Sequence, residues 1–266
     1  MAQVKLQDFS GMIPSRDLTL LPDNNAAYSR NTWLYRGNIQ GYRSATTRRT
    51  LSGSSVQGVY RIPLGTATDF SNSVWVEFTD ANTNVIRAPV VGDTYERYYF
   101  FSPSTVPQYS PLSDLQTNAA RLTLGVPTPV TAPIVAVVPP SPVPSNPVSE
   151  TRSYVYTWVT EYGEEGAPSP ATVVSGNVGS SYNITVIAPT TANKANRRLS
   201  KVNVYRTVTD AAGNATYYFV TSFLNTVVNF LDAVTDTTVT ANTQLESNYW
   251  TPPPSLKGCV AMSNVC

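Results

Sequence analysis

Apolar and polar residues alternate with a period of two through the last third of the chain, which predicts β-strands. In residues 182–188 (YNITVIA), every second side chain from Tyr182 onward shares one face, opposite Asn183 and Thr185. Turn signals such as residues 162–166 (YGEEG) separate short stretches of this kind. We predict strands at residues 152–161, 171–175, 182–188, 201–209, 216–223 and 227–231. This spacing is typical of a fibronectin type III or immunoglobulin-like β-sandwich, which we place at residues 150–247. The sequence lacks the Cys-Trp-Cys pattern of a true immunoglobulin domain.

The preceding part of the chain also has strand character, with one exception near the start. Aromatic and β-branched residues predict strands at residues 56–62, 73–78, 85–90 and 95–101, with 81–84 (ANTN) as a hairpin loop between two of them. Residues 23–25 are candidate caps for a short helix that reaches Leu34 and stops at Gly37. Residues 1–125 are therefore predicted to form a β-rich assembly domain with one short helix.

A proline-dense stretch separates the two parts. Residues 126–147 (VPTPVTAPIVAVVPPSPVPSNP) lack helical periodicity, and each X-Pro pair favours extended backbone. We interpret residues 126–149 as a semi-rigid, polyproline-like connector. A ligand for an SH3 domain is the alternative, although no basic anchor flanks the prolines. Residues 248–266 are predicted to be an extended C-terminal segment, and the fold class is all-β.

The low charge argues against a nucleic-acid-binding protein, and the absence of histidine argues against an enzyme. Only 13% of the 266 residues are charged, about half of the roughly 25% usual for soluble proteins, and the net charge is +1. Tight nucleic-acid binding needs a clustered basic face. Histidine, the commonest general base and metal ligand, is absent. We therefore predict no catalytic residues, no metal and no cofactor.

The acidic residues are the remaining candidates for chemistry. Glu161, Glu164 and Glu165 flank a Gly-rich turn, and Asp232 lies four residues before Asp236. Nothing places two of them across a groove as a glycosidase requires, so we expect solvated turn acids. Asp232 with Asp236, or Asp210 with Asn214, lacks the dense oxygen ligands of a calcium loop. Serines that follow glycine, Ser54 and Ser180, have no histidine to activate them.

The cysteines and the hydropathy bear on the compartment. Cys259 and Cys266 are spaced unlike a zinc knuckle; they could pair in an oxidising setting, but we expect free thiols. No signal-peptide core and no run of about 20 apolar residues occurs, so we expect synthesis in the cytoplasm and no membrane insertion.

Arginine and aromatic residues are interleaved within the first 50 residues. Arg, Tyr and Trp are enriched at protein interfaces, and Arg with aromatic rings also suits phosphate pairing and base stacking. Because the whole chain is nearly neutral, we favour a protein interface. The predicted subunit-interface residues are Arg16, Arg30, Trp33, Tyr35, Arg36 and Arg43.

Three stretches taken together resemble a known family. They are residues 9–17 (FSGMIPSRD) followed by the spaced Ala26, Asn31, Leu34 and Gly37; residues 153–160 (SYVYTWVT) with 163–170 (GEEGAPSP); and residues 204–207 (VYRT) with 252–258 (PPPSLKG). The set is similar to the tail nozzle, or tail tubular protein B, of short-tailed bacteriophages. Members of that family continue beyond a PPPSLKG-like region into a large platform, so this sequence, which ends at Cys266, is either a fragment or a shortened relative.

The resemblance implies a structural virion protein and no enzyme. Its fold would be β-rich with a fibronectin-like insertion, and its copies would form a ring, usually a hexamer, in the phage tail. Its partners would be the head–tail adaptor, the fibres and the phage DNA, which passes through the ring without specific binding, after assembly in the host cytoplasm. A conduit that bound phosphate would stall DNA, so we expect most of the N-terminal arginines to face neighbouring subunits instead of the channel.

Two other functions stay open. One is an adhesin or carbohydrate-binding module that presents Trp158, Tyr217 and Tyr218 to a sugar, although aromatic residues at alternating strand positions are more often core. The other is a fibre-associated or head-decoration protein of the same virion.

Overall fold

β-Branched and aromatic residues form strands through most of the chain, and the fold is all-β. The computed structural model describes residues 9–35, 38–42, 47, 49–64, 72–209, 215–256 and 258–259; for residues 33–35, 38–40 and 209 it describes the backbone alone. The chain divides into two compact units, Met1–Thr50 and Leu51–Cys266. Among the described residues, none of the helices has both the length and the apolar character needed to span a membrane.

The first unit contains two small β-pairs. Strands β1 (Gly11–Met12) and β2 (Asn25–Ala26) pair in parallel, with a 3-10 turn at Leu18–Leu20 between them. Strands β3 (Thr32–Tyr35) and β4 (Asn38–Gly41) form an antiparallel hairpin. The helix predicted to reach Leu34 is therefore wrong. Its helical pattern spans only nine residues, too few to decide the period, and cross-strand pairing of an aromatic-rich segment prevails.

The second unit begins with a β module built from two sheets. Strands β5 (Gly58–Pro63) and β6 (Ser73–Phe78) pair, and β7 (Asn84–Arg87), β8 (Tyr98–Ser102), β9 (Thr105–Ser110) and β10 (Leu122–Thr123) form a four-stranded sheet. Helix α1 (Leu112–Thr117) packs beside them. The core residues are Ile62, Val76, Phe78, Tyr98, Phe100 and Leu115. We call residues 51–125 the first module.

The hairpin predicted at residues 81–84 does not form. Strand β6 pairs with β5 and β7 pairs with β8, so the turn connects two different sheets. Asp80 accepts hydrogen bonds from the Asn82 amide (2.8 Å) and from the hydroxyls of Ser102 and Ser104. These bonds lower the pKa of Asp80 to about 2. They tie the turn to the β8–β9 connection.

The sandwich contains two facing antiparallel sheets. Its seven strands are β11 (Ile134–Val138), β12 (Ser149–Thr160), β13 (Thr172–Asn177), β14 (Ser181–Thr185), β15 (Leu199–Thr209), β16 (Ala215–Leu224) and β17 (Asn229–Asp232). Helix α2 (Thr191–Arg197) lies between β14 and β15, and helix α3 (Asp236–Thr240) follows β17. The strand orders are β13-β12-β15-β16 and β11-β14-β17. The six strands predicted here are confirmed, with ends that shift by up to three residues. Tyr182, Ile184 and Val186 face the core as their alternation predicts.

The proline-dense stretch is not a connector throughout. Residues 134–138 form β11, which pairs with β14 from Ile134 opposite Thr185 to Val138 opposite Ser181. This five-residue interval contains no proline, so its backbone is able to pair, and Val135 and Val137 pack against the core. The prediction of a semi-rigid, polyproline-like connector over residues 126–149 is wrong for residues 134–138, because this proline-free interval is long enough to form a strand.

Candidate functional site: the junction between the first module and the sandwich

The predicted interface residues lie in the first unit, and most of their side chains are outside the described part. Arg16 and Arg30 are exposed. The backbones of Trp33 and Tyr35 belong to β3, and their side chains lie outside the description. Arg36 and Arg43 also lie outside the described residues. The interface role of these six residues stays a prediction.

The turn after β12, residues 161–166 (EYGEEG), is held in one conformation by its own hydrogen bonds. The hydroxyl of Thr160 accepts from the amides of Tyr162 (3.3 Å) and Glu164 (3.2 Å), and the Gly163 amide donates to the Thr160 carbonyl (3.1 Å). Gly163 has φ +83°, a left-handed conformation that glycine adopts without strain. The turn therefore presents Tyr162 and Glu164 in fixed directions.

Tyr162 inserts its ring between aromatic residues of the first module. Its ring centroid lies 4.6 Å from that of Tyr95 and 6.0 Å from that of Tyr109, both edge-on. The guanidinium groups of Arg97 and Arg198 lie 5.8 and 5.9 Å from the ring centre. Burial raises the pKa of the Tyr162 phenol, and its hydrogen bond to Glu161 adds to this shift. Edge-to-face pairs contribute about 0.5–1.5 kcal/mol each beyond area burial.

Two arginines complete the contact with ion pairs that cross between the first module and the sandwich. Arg97 of the first module binds Glu164 (2.7 Å) and also Asp93 (3.1 Å). In the opposite sense, Arg198 of the sandwich binds Asp114 at 2.6 Å and Glu161 at 2.7 Å. We call Tyr162, Glu164, Arg97, Arg198 and Asp114 the junction. Ion pairs cross between the modules in both directions, and the Tyr162 ring of the sandwich packs against the first module. These contacts fix the two modules against each other.

Glycines allow the chain to pass closely beside the junction. A Cβ on Gly166 would lie 2.7 Å from Cγ1 of Val126, and one on Gly125 would lie 2.9 Å from Cα of Pro252. The Gly166 amide donates to the Trp158 carbonyl (3.1 Å). A half-open, mainly apolar cleft of about 770 Å³ adjoins this crossing, lined by Leu124–Val126, Gly163–Gly166 and Trp250–Pro253.

Each of the described acidic residues singled out in the sequence contacts an arginine or a hydroxyl group. Glu165 accepts hydrogen bonds from the hydroxyls of Tyr205 (2.8 Å) and Thr157. Asp232 is fully buried and lies 3.2 Å from Nε of the equally buried Arg206, which also binds Asp236 at 2.7 Å. Glu161 and Glu164 belong to the junction contacts. The expectation of solvated turn acids is wrong for Asp232, which is fully buried, and for Glu165, which is half-buried against two hydroxyl donors. Glu161 and Asp236 are exposed to solvent as expected, and each also forms an ion pair with an arginine.

The Arg206 pair extends into a network that joins both sheets of the sandwich. Tyr154 donates to Asp232 (2.8 Å), and Tyr182 donates to Glu150 (3.1 Å). Arg152 lies 3.0 Å from Glu150 and 3.0 Å from Asp236. Burial raises the pKa of Tyr154, and the Asp232 charge adds to the shift. The arrangement supplies charge neutralisation and positional restraint.

Metal and sugar sites gain no support from these side chains. Within the described residues no three acidic, cysteine or histidine residues lie close enough to hold a metal ion. Asp210 and Asn214 lie outside the description. Trp158, named for a sugar platform, is only 6% exposed and packs in the core, which makes that assignment wrong. Tyr217 and Tyr218 are partly buried, and the Tyr217 hydroxyl bonds that of Ser153 (2.8 Å).

Sequence reasoning missed Arg206, Arg97 and Arg198. For Arg206 a signal exists, because it shares the inward parity of Val202 and Val204, just as Asp232 shares that of Phe230. Arg97 and Arg198 follow no such pattern. Comparisons of this chain with protein-family models and with curated proteins give no match.

Proposed function

We propose that this chain is a structural virion protein, a subunit of a homo-oligomeric phage tail ring or nozzle that forms the conduit for DNA ejection. Its partners would be copies of itself, in a ring that the resemblance makes hexameric, together with the head–tail adaptor and the fibres. The proposal assigns it to the virion, with no catalytic role and no cofactor.

The observation that carries the proposal is the position of the motif residues. Residues 163–170 (GEEGAPSP), which carry part of the family resemblance, lie at the junction and beside β12. Glu164 binds Arg97, and the absence of a Cβ on Gly166 leaves the space that the Val126 side chain occupies. A closed ring repeats the same contact between every pair of neighbours, so the parts of each subunit must keep a fixed relative position, and a motif that fixes two β modules against each other fits that requirement.

The charge of the chain supports the same role. A net charge of +1 gives little attraction for the phosphates of passing DNA. The carboxylates described in the sandwich network and at the junction form ion pairs with arginines of the same chain. These charged groups therefore stabilise the fold. The carbohydrate-binding alternative loses its best aromatic candidate, because Trp158 is in the core.

Native mass spectrometry of the purified chain at concentrations between about 1 and 100 μM tests the proposal. Interfaces of standard size give dissociation constants within or below this range, so the subunits should associate under these conditions. A closed ring with a single stoichiometry, visible as an annulus by negative-stain electron microscopy, is the expected result. A chain that stays monomeric throughout this range and binds glycans on an array would overturn the proposal in favour of the adhesin.

A further inference from the structure

The half-open cleft beside the junction, with a volume of about 770 Å³, has the dimensions of a ligand-binding groove. Such grooves commonly enclose about 300–1,000 Å³ and have mainly apolar walls. The apolar side chains of Leu124, Trp250 and Pro253 line the cleft, and the glycines Gly163 and Gly166 contribute backbone to it without side chains. The cleft therefore has room for a short extended segment of polypeptide.

Trp250 gives this cleft an available aromatic surface. The residue is 54% exposed, although its amide donates to the Ser247 carbonyl (3.1 Å). The chain that follows is held closely, because a Cβ on Gly125 would lie 2.9 Å from Cα of Pro252. Tryptophan is enriched at the energetic centres of interfaces, attracts cations to its ring face, and in apolar grooves recognises extended peptides. The indole is thus a candidate contact for a bound segment.

The charged side chains that line the cleft are both acidic. They are Glu164 and Glu165, and no lysine or arginine is among the described lining residues. Glu164 has an ion-pair partner in Arg97 (2.7 Å). Glu165 accepts hydrogen bonds from the hydroxyls of Thr157 and Tyr205, and within the described part of the chain no basic side chain forms an ion pair with it. A carboxylate without a cation therefore lies beside an apolar wall.

The charges around the cleft give the same sign. The arginines that contact the junction or the cleft lining are Arg97, Arg197 and Arg198, and the carboxylates are Asp93, Asp114, Glu161, Glu164 and Glu165. Three positive charges thus face five negative ones. Arg197 neutralises no carboxylate, because it donates to the Gly125 carbonyl (3.1 Å) and to the Asn193 side chain (3.1 Å). A positively charged ligand is complementary to this surplus of negative charge.

We propose that the cleft binds an extended segment of a partner protein in which one arginine or lysine is flanked by apolar residues. The aliphatic stem of the basic side chain would lie against Trp250 and its charged end would face Glu165. Flanking proline or leucine side chains would fill the apolar part beside Leu124 and Pro253. A segment without a cation would cover Glu165 and leave it unpaired, which is unfavourable. This binding site is independent of the proposed ring.

Fluorescence anisotropy with a synthetic peptide tests the site on the full chain. The probe is acetyl-Leu-Pro-Arg-Leu-Pro-Leu-amide with a neutral dye, and the matched peptides carry glutamine or glutamate in place of arginine. We expect a dissociation constant below about 1 mM for the arginine probe and at least about tenfold weaker binding of the glutamine peptide, because a hydrogen bond between charged groups is lost. The glutamate peptide should not bind. Equal binding of the arginine and glutamine peptides would indicate an uncharged apolar occupant and overturn the proposal, as would no binding of the arginine probe.

Two variants locate the probe in the cleft. Trp250→Ala and Glu165→Gln should each weaken binding of the arginine probe by at least about tenfold, whereas Tyr249→Ala, at a neighbouring ring that is 93% exposed, should bind like the parent. Circular dichroism and thermal unfolding check the fold of each variant. Because Trp250 is exposed, its variant gives a result even if Glu165→Gln does not fold. Unchanged binding by Trp250→Ala would place the probe elsewhere and overturn the proposal.

Native mass spectrometry of Trp250→Ala separates this site from the proposed function. The variant should assemble like the unsubstituted chain, because the cleft is assigned to another protein and not to a subunit contact. Loss of assembly together with loss of peptide binding would show that a second copy occupies the cleft, and would overturn the proposal. A chain that binds the arginine probe but stays monomeric would overturn the ring and leave the peptide site intact.

Discussion

Arg206 places a positive charge where its side chain has no contact with solvent, so the stability of the sandwich depends on its two acidic partners. Arg206→Met removes the cation and leaves Asp232 fully buried without its ion-pair partner. Breaking a buried pair from one side costs about 3–5 kcal/mol. We expect a loss of that size in the free energy of unfolding, measured by urea denaturation with tryptophan fluorescence.

The exposed pair Arg87–Glu96 is the matched control for this substitution. Its N–O distance is 2.8 Å, comparable to that of Arg206 with Asp236, but both side chains are largely exposed. Surface pairs contribute about 0–1 kcal/mol. Arg87→Met should therefore change stability by less than about 1 kcal/mol. Equal losses in the two variants would show that the burial of Arg206 has no energetic consequence.

Tyr182 makes the sandwich sensitive to alkaline pH. Burial, followed by the adjacent Glu150 charge, raises its pKa to about 12, whereas an unfolded tyrosine ionises near about 10. The neutral phenol is thus favoured in the folded state. Its contribution is fully present below pH 10 and is lost as the pH rises from about 10 to about 12.

Urea denaturation at pH 9 and pH 11 measures this loss. The free energy of unfolding should be lower at pH 11, and absorbance at 295 nm should show tyrosinate appearing together with unfolding. Tyr182→Phe should lose less stability between the two pH values than the parent. Tyr249→Phe, at a residue that is 93% exposed, should behave like the parent. A Tyr182→Phe variant with the full pH-dependent loss would exclude Tyr182 as a cause.

At the scale of the element, the turn after β12 is limited by its contact with the chain that leads into the sandwich. Gly166→Ala would place a methyl group 2.7 Å from Cγ1 and 3.1 Å from the carbonyl oxygen of Val126. Overpacking of this kind costs about 1–3 kcal/mol. We expect that loss in thermal and urea unfolding. Gly53→Ala, with nothing within 4 Å, should be near neutral, and similar effects in both variants would contradict the steric argument.

Strands with a clear period of two could be predicted from the sequence, and those with competing signals could not. Residues 73–78 were placed without error, because valine and phenylalanine alternate with residues of the other face. The prolines around β11 favour an extended connector over a strand, and the short pattern that includes β3 is compatible with a helix as well as a strand. Local composition dominated both predictions, whereas pairing with a distant strand decided the outcome.

The junction could not be predicted from the sequence for a different reason. Arg97 meets Glu164 across 67 residues, and Arg198 meets Asp114 across 84. Such pairs leave no periodic trace, because a charged residue in a turn looks the same whether it is solvated or paired. Residues 163–170 contribute to a family resemblance, and that resemblance gives no indication that the segment holds two modules together.

At the scale of the whole molecule, the junction determines whether the first module and the sandwich unfold as one body. Covalent continuity at residues 126–133 alone would leave the modules free to unfold separately. Aromatic contacts of Tyr162 and ion pairs in both directions couple them, so we expect one cooperative transition for residues 51–266. This coupling makes the pair of modules suitable as a rigid building unit.

Tyr162→Ala tests the coupling directly. The substitution removes the ring that contacts Tyr95 and Tyr109 but leaves both cores unchanged. Differential scanning calorimetry should then resolve two transitions, because each module keeps its own hydrophobic cluster while the contact between them is weakened. Tyr249→Ala, which removes an exposed ring, should keep the profile of the parent. If Tyr162→Ala still melts in a single transition at the parent temperature, then the ring contributes little, and the rigidity that the proposed ring subunit needs must come from the ion pairs of Arg97 and Arg198.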